Sequence, residues 1–235
     1  MNVQTILERL HQCKNPKGKE HLQRVGLPVE KMIGISMQEI RSIAKEIGKN
    51  HNLALELWNE ELHEAKLLAV LLAEPKKVTE DLMETWVSQF YSWDITDHSC
   101  NNLFDKTPFA FAKAQEWTRR TEEFVKRAGF TLIATLAVHD KKTPDIVFEK
   151  MFPLIMEQAT DDRNYVKKAV NWALRQIGKR NLELNQKAIQ VALSLQQSQC
   201  SSARWIAVDA LRELRNDKIL VRVQQRGKKL KPESE

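Results

Sequence analysis

The sequence contains few of the residues that make tight turns. Only seven glycines and seven prolines occur among its 235 residues. A β-sandwich or a β-barrel needs many tight turns, and glycine and proline form a large share of them. Their scarcity disfavours both folds and favours an all-α protein.

Side chains that bind metals or carry out redox chemistry are few and scattered. The three cysteines, Cys13, Cys100 and Cys200, show no metal-ligand or redox spacing, and the six histidines lie in different segments. Neither a glycine-rich phosphate loop nor a nucleophile elbow occurs. We therefore predict no metal, no cofactor and no nucleotide cofactor, and a reducing, bacterial-type cytoplasm as the compartment.

Long apolar runs are also missing. The longest, around residues 67–73, is too short to span a bilayer, and the N-terminus turns polar after a few residues. These absences predict a soluble protein that is not secreted and has no membrane partner.

Positive charge is concentrated near the C-terminus. The formal net charge is +6, and residues 215–235 contribute +4 of it through seven Lys/Arg and three Asp/Glu. Because the preceding residues are nearly balanced, a case for nucleic-acid binding depends on where the basic residues lie. We predict one domain over residues 1–221 and a flexible basic tail over residues 222–235.

Apolar residues recur at helical spacing almost throughout, which predicts a series of helices of ordinary length. Ser36, Thr79 and the pair Asp161 and Asp162 are predicted to cap helix starts. The predicted helices begin near Val3, Ser36, Asn52, His63, Thr79, Asp97, Thr107, Glu122, Asp145, Arg163, Leu184 and Ser202.

Three segments resemble copies of one repeat. Val125 and Val166 align at a separation of 41 residues, and Ala173 and Ala210 align at 37, close to the length of a two-helix HEAT repeat. In a solenoid, one helix of each pair lines the inner surface. We therefore predict a right-handed α-solenoid of antiparallel HEAT-like helix pairs with a concave basic groove. The three segments are FVKRAGFTLIATLAVHD, YVKKAVNWALRQIGKRN and SARWIAVDALREL.

A basic stripe is predicted on one helix. Its four members are spaced by 4, 3 and 4 residues, so they share one helical face, and the flanking repeats add cations at comparable places. Such a row of cations would bind the phosphates of a duplex, although a solvated helix face is the alternative. The stripe consists of Lys168, Trp172, Arg175 and Lys179, and the flanking cations are Lys126, Arg127 and Arg204.

Trp93 and Asp97 are spaced i and i+4, so they would share a helix face if one helix holds both. Brought beside Trp172, they would form a site for a cationic, sugar-like transition state, which a carboxylate stabilises. The alternative is that both indoles are core aromatics and that Asp97 caps a helix. His98 is predicted to be exposed, and Trp58, Trp86, Trp117 and Trp205 are assigned to helix packing.

Three blocks in order, SWDITDHSCNNLFDKTPFA, EFVKRAG and DRNYVKKAVNWALRQIGKRN, resemble the AlkD-type DNA alkylation repair glycosylases, which have HEAT-like repeats. The resemblance runs from about Met32 to the last repeat. It implies a DNA glycosylase, a hydrolase that removes cationic N3- or N7-alkylated purines from double-stranded DNA without a metal or cofactor. By motif, Trp93 and Trp172 would pack against the damaged nucleotide, Asp97 would support the developing charge and a water, and Arg127 would contact phosphate, with Arg175 as its companion.

One departure from the family pattern bears on activity. Ser92 stands before Trp93, where the family has an aromatic residue, and some relatives with this fold bind DNA without excising bases. The second interpretation is therefore a noncatalytic binder of damaged or branched DNA, and the third is a HEAT-type scaffold that holds a peptide. A monomer is expected in each case.

Overall fold

The computed structural model describes residues 2–229, and it describes the side chains through residue 225. Every regular element in this range is a helix, as the scarcity of turn residues predicted. The chain forms two compact units, the N-terminal unit Met1–Phe109 and the C-terminal unit Ala110–Glu235. No helix in the described range has both the length and the hydropathy that a membrane crossing requires.

The N-terminal unit contains seven α-helices and three short 3₁₀ turns. The turns are Val29–Lys31, Pro75–Lys77 and Phe104–Lys106. The helices are α1 (Val3–Gln12), α2 (Pro16–Arg24), α3 (Met37–Ile47), α4 (His51–Trp58), α5 (His63–Leu72), α6 (Glu80–Val87) and α7 (Trp93–Asn102).

Helix α5 occupies the centre of the N-terminal unit, since it packs against α3, α4 and α7. Its apolar sequence accounts for this position, because Leu68, Ala69 and Val70 are fully buried on different sides of the helix. Beside it, the indoles of Trp58 and Trp86 stack with their ring centroids 4.0 Å apart. The predicted packing role of these two tryptophans is confirmed.

The C-terminal unit contains eight α-helices. They are α8 (Ala110–Trp117), α9 (Glu123–His139), α10 (Asp145–Glu149), α11 (Phe152–Gln158), α12 (Asn164–Gly178), α13 (Leu182–Gln196), α14 (Ser201–Leu214) and α15 (Asp217–Lys229). Helices α9, α12 and α14 lie side by side, and α8, α11 and α13 pack behind them. This repetition of helix pairs agrees with the repeat found in the sequence.

Helices α8 and α9 approach closely at Gly129. A Cβ atom added there would lie 2.6 Å from the backbone nitrogen of Thr118 and 2.9 Å from the carbonyl carbon of Trp117. Since backbone atoms cannot move away cheaply, only glycine allows this contact. Trp117, as predicted, is fully buried in the same unit.

Most predicted helix starts lie within three residues of the observed ones, but α7 begins at Trp93, four residues before the prediction at Asp97. Three helices were missed, α2, α11 and α15. Helix α2 has no buried residue, and therefore no apolar stripe by which the sequence could reveal it. Helix α15 extends to Lys229, so the first part of the predicted tail is helical, and residues 230–235 lie outside the described residues.

Two of the three predicted helix caps are confirmed. Ser36 accepts a hydrogen bond from the amide of Glu39 and the Glu39 side chain accepts from Ser36, a complete capping box, and Thr79 caps α6. The predicted cap at Asp161 and Asp162 is wrong. The cap residue of α12 is Arg163, which makes no side-chain capping bond, and the Asp161 carboxylate accepts from the backbone amide of Arg163 at 3.2 Å and pairs with Lys126 and Arg163.

Candidate functional site

Trp93 and Asp97 lie on one face of α7, as their spacing predicted. Trp93 is the first residue of the helix and Asp97 lies one turn later, and both side chains are partly exposed. The alternative that Asp97 caps a helix is wrong, because the helix begins four residues earlier. An indole and a carboxylate are thus displayed together at an accessible surface of the N-terminal unit.

A buried hydrogen-bonded chain holds the first turn of α7. His63, on α5, is 1% exposed, and its Nε2 atom lies 2.7 Å from Asp94 Oδ2. Its Nδ1 atom lies 2.6 Å from the hydroxyl of Tyr91. The Ser92 hydroxyl donates to Asp94 Oδ1 at 2.6 Å. This chain fixes the position of Trp93, which stands between Ser92 and Asp94.

The charges in this chain are set by its surroundings. Burial of the Asp94 carboxylate opposes its ionisation, but hydrogen bonds from His63 and Ser92 and the attraction to His63 outweigh burial and lower its pKa. Burial, together with the nearby negative charge of Asp94, raises the pKa of the Tyr91 hydroxyl. Asp94 is therefore an anion and Tyr91 a neutral hydroxyl at neutral pH.

Sequence reasoning missed the roles of His63, Tyr91 and Asp94. His63 lies 31 residues from Asp94, so helical spacing could not pair them. The one available signal was that His63 begins an otherwise apolar segment.

His98 lies on α7 next to Asp97, and the prediction that it is exposed is wrong. It is 9% exposed, and its Nε2 atom lies 3.0 Å from the carbonyl oxygen of Leu67 on α5. Its Nδ1 atom lies 3.2 Å from the side-chain nitrogen of Asn102. A neutral imidazole that carries its proton on Nε2 satisfies both bonds, and burial lowers its pKa to about 4.

Trp172 lies on α12 in the C-terminal unit and is partly exposed, so it is not sealed within a core. With its amide oxygen facing the indole, Gln176 accepts hydrogen bonds from Trp172 Nε1 at 2.8 Å and from Lys179 Nζ at 3.3 Å. Trp93 and Asp97 belong to the N-terminal unit, so the prediction that Trp172 stands beside them concerns residues of two units. It stays a prediction.

The predicted basic stripe is partly neutralised. Arg175 pairs with Glu213, and with Asp209 at 3.5 Å, while Lys179 pairs with the same Glu213. Both acids lie on α14, the next helix of the row. Of the three cations in the stripe, Lys168 is exposed, whereas Arg175 and Lys179 are partly buried.

The cations of the preceding repeat are also engaged. Lys126 Nζ lies 3.1 Å from the Asp161 carboxylate, and the side chain of Lys126 is 12% exposed. Arg127 is 6% exposed and donates to the carbonyl oxygen of Tyr165 at 2.7 Å. These contacts join α9 to the first turn of α12 and to the segment before it, and the predicted contact of Arg127 with phosphate stays a prediction.

Arg204, at the start of α14, is exposed, as a phosphate contact requires. Its guanidinium donates to the carbonyl oxygens of Ser198 at 3.0 Å and Gln199 at 2.7 Å, which leave its charge unbalanced. The neighbouring Trp205 is 41% exposed, so its assignment to helix packing is wrong. Among the residues described, no group of three or more His, Cys, Asp or Glu side chains is placed to hold a metal ion.

Known proteins provide an independent comparison. Residues 6–218 match the model of a family described as "DNA alkylation repair enzyme". A curated relative, "Uncharacterized protein Lin0241" of Listeria innocua serovar 6a (strain ATCC BAA-680 / CLIP 11262), is 23% identical over 190 residues, which are 79% of this chain and 83% of that protein.

Two solved structures are similar. One is described as "A new family of proteins related to the HEAT-like repeat DNA glycosylases with affinity for branched DNA structures". It shares 20% identity and a TM-score of 0.76, over 91% of this chain and 96% of its own. The other is "Designed armadillo repeat protein YIII(Dq)4CqI", with 16% identity and a TM-score of 0.37, over 83% of this chain and 99% of its own. The first likeness confirms the HEAT-like repeat fold, whereas the right-handed sense and the concave groove stay predictions.

Proposed function

The chain belongs to the DNA alkylation repair enzyme family, and we propose that it is a DNA glycosylase that hydrolyses the N-glycosidic bond of cationic N3- or N7-alkylated purines in duplex DNA. The observation that carries this proposal is the pair formed by Trp93 and Asp97. The two side chains share an accessible face of α7. They also lie on the end of α7 that the hydrogen-bonded chain at Asp94 holds in place.

Hydrolysis of this bond requires few catalytic groups from the protein. The C1′–N bond breaks with its electron pair moving to the base, so a base that carries positive charge leaves as a neutral molecule. No general acid is needed for this departure. Water then adds to C1′ and gives a proton to the Asp97 carboxylate. Before that, the carboxylate stabilises the positive charge that develops on the sugar, and the Trp93 ring favours the same charge.

DNA would be held mainly by cations of the C-terminal unit. Lys168 and Arg204 are exposed and form no ion pair with the described residues, so both can meet a phosphate without first breaking an ion pair. Arg175 and Lys179 would have to exchange Glu213 for DNA. In this proposal, Trp172 packs against the sugar and backbone of the damaged nucleotide.

A second candidate function is noncatalytic binding of damaged or branched DNA. The structurally similar protein is described as having affinity for branched DNA structures. Ser92 also favours this candidate, because it occupies the position of an aromatic residue in the glycosylases and is 2% exposed. Ser92 contributes a hydrogen bond to Asp94 and offers no aromatic surface to DNA.

The test is release of 7-methylguanine or 3-methyladenine from methylated DNA. We expect release by the wild-type protein and a loss of about 10²–10³-fold in Asp97→Asn, the range found when one electrostatic group is removed from an active site. Asp81→Asn is the matched control, since Asp81 is an exposed aspartate in the neighbouring helix α6, and it should leave the rate unchanged.

The outcomes separate the candidates. No release under any condition, combined with salt-dependent DNA binding that survives Asp97→Asn, would replace the glycosylase with the noncatalytic binder. Absence of DNA affinity at low salt would contradict both candidates and favour a scaffold that holds a peptide.

A further inference from the structure

Trp205 is the tryptophan that solvent reaches most easily. It lies in the first turns of α14 and is 41% exposed, whereas the other five indoles are buried or partly exposed. The helix does not need this side chain for packing, because Ala203, Ile206 and Ala207 supply its buried face. Exposure of so large an apolar ring costs free energy unless a partner covers it.

One cation contacts the ring, and two others lie next to the contacting residues in the sequence. Lys167 Nζ, from α12, lies 5.1 Å from the centroid of the Trp205 ring, a cation–π distance. Arg204 precedes Trp205 in the chain, and Lys168 follows Lys167. Within the described residues, none of these three cations is paired with a carboxylate, in contrast to Arg175 and Lys179.

The nearest acidic side chain along α14 is already balanced. Asp209, one turn further along α14, pairs with Arg175 at 3.5 Å and also with Arg212. It accepts a further hydrogen bond from Asn171 at 2.6 Å. Val208, at i+3 from Trp205, is 57% exposed and extends the apolar surface. The patch therefore presents an apolar ring with unbalanced positive charge beside it.

We propose that Trp205 is a stacking site for an unpaired base of DNA, with Lys167, Lys168 and Arg204 contacting the phosphates of the same strand. This inference rests on the proposed binding of DNA. In a matched duplex the faces of the bases are hidden by their neighbours, so Trp205 has nothing to stack on. A single-stranded segment exposes those faces and carries the phosphates that the cations attract.

The contact of Lys167 with the Trp205 ring does not prevent a base from stacking on that ring. The ring quadrupole holds the ammonium group weakly at an exposed site, and the lysine side chain is flexible. A base that stacks on Trp205 would replace this contact, and the released ammonium group would reach a phosphate. Trp205 thereby provides a preference for unpaired DNA at a place separate from Trp93 and Asp97 in the sequence.

The test compares two probes by fluorescence anisotropy, an oligothymidine of about 12 nucleotides and a fully matched duplex of equal length. We expect Trp205→Ala to weaken oligothymidine binding by about ten-fold or more, the effect of losing one stacked base, and to change duplex binding less than about two-fold. Trp205→Tyr should keep most of the affinity, because it keeps an aromatic ring.

Leu182→Ala is the control variant. Leu182 is 40% exposed at the start of α13, so the substitution removes an apolar side chain that is about as accessible as Trp205 but has no aromatic ring. It should bind both probes like the wild type. In addition, oligothymidine should quench tryptophan fluorescence less in Trp205→Tyr than in the wild type.

Two results would overturn the inference alone. They are an equal loss of affinity for both probes in Trp205→Ala, and a loss of affinity in Trp205→Tyr as large as in Trp205→Ala. If the wild-type protein binds neither the oligothymidine nor the duplex, the proposed function fails and this inference fails with it. Since release of methylated bases is measured separately, a failed glycosylase is distinguishable from a failed stacking site.

Discussion

The buried polar side chains of α5 and the ion pairs between α12 and α14 lie in different surroundings. In the N-terminal unit, His63 and Glu64 are each 1% exposed and lie deep in α5. In the C-terminal unit, the ion pairs that join neighbouring helices, such as Arg175 with Glu213, keep partial access to solvent. Buried polar groups fix one geometry because losing a partner is costly, whereas half-exposed ion pairs can exchange partners at little cost.

This contrast suggests a division of tasks. Glu64 accepts hydrogen bonds from the backbone amides of Ile33 at 2.9 Å and Gly34 at 2.8 Å, so it holds a loop in one shape. Such rigidity suits the unit that displays Trp93 and Asp97. Exchangeable ion pairs suit the proposed role of this surface in accepting phosphates. Three experiments would break or sharpen this comparison.

The largest effect is expected from His63→Ala. It would leave the partly buried Asp94 carboxylate and Tyr91 hydroxyl without their shared partner. We expect the free energy of unfolding to fall by about 3 kcal/mol, the range for breaking a buried polar pair. Urea denaturation measures this loss. His21→Ala, which changes an exposed histidine on α2, should cost less than about 0.5 kcal/mol.

A loss below about 1 kcal/mol in His63→Ala would mean that water replaces the imidazole, and the buried chain would then not fix α7.

Tyr91→Phe provides an intermediate step. It removes only the hydroxyl, so its cost should be about 1 kcal/mol.

The next effect concerns pH and His98. Its pKa in the folded protein is about 4, below the usual value of 6.5, so the unfolded chain binds more protons between these two pH values. Stability should therefore decrease as pH falls from about 6.5 to 4, by about 2 kcal/mol from this group. His98→Gln keeps a donor for the Leu67 carbonyl but does not titrate, so its stability should depend less on pH.

Urea denaturation at several pH values gives the two slopes. Parallel slopes for the wild type and His98→Gln would show that His98 does not contribute to the pH dependence.

Much of the fold could be predicted because its signals are local. The apolar positions of α9 and α12 recur at helical spacing, and the repeat between these helices is visible as similar residues about 40 positions apart. Helix α2 could not be predicted in the same way. It is polar throughout and depends on its cap Asn15 and on Pro16 in its first turn.

The candidate site could be predicted only within a helix. The spacing of Trp93 and Asp97 places them on one face without knowledge of any other helix. The partners of Arg175 could not be found, because Glu213 lies 38 residues away on another helix. A basic stripe in a sequence therefore shows where cations lie on their own helix, and it does not show whether the next helix neutralises them.

The smallest change in stability, and the sharpest test of the comparison, is expected from Glu213→Gln. This carboxylate pairs with both Arg175 and Lys179, and those hydrogen bonds lower its pKa despite its partial burial. Neutralising it should cost about 1 kcal/mol of folding free energy, since the pairs are partly exposed. It should also raise the affinity for duplex DNA and steepen the dependence of log K on log salt by about 1–2, because two cations are released to bind phosphates.

Glu183→Gln is the matched control, since Glu183 pairs with Lys187 on the exposed side of α13. It makes the same change in net charge, so any gain from overall charge would appear in both variants. If only Glu213→Gln gains affinity, Arg175 and Lys179 belong to the DNA surface and Glu213 pairs with them when DNA is absent. If both variants gain equally, the stripe on α12 is a set of structural ion pairs, and Lys167, Lys168 and Arg204, which form no ion pair with the described residues, remain as the proposed phosphate contacts of this unit.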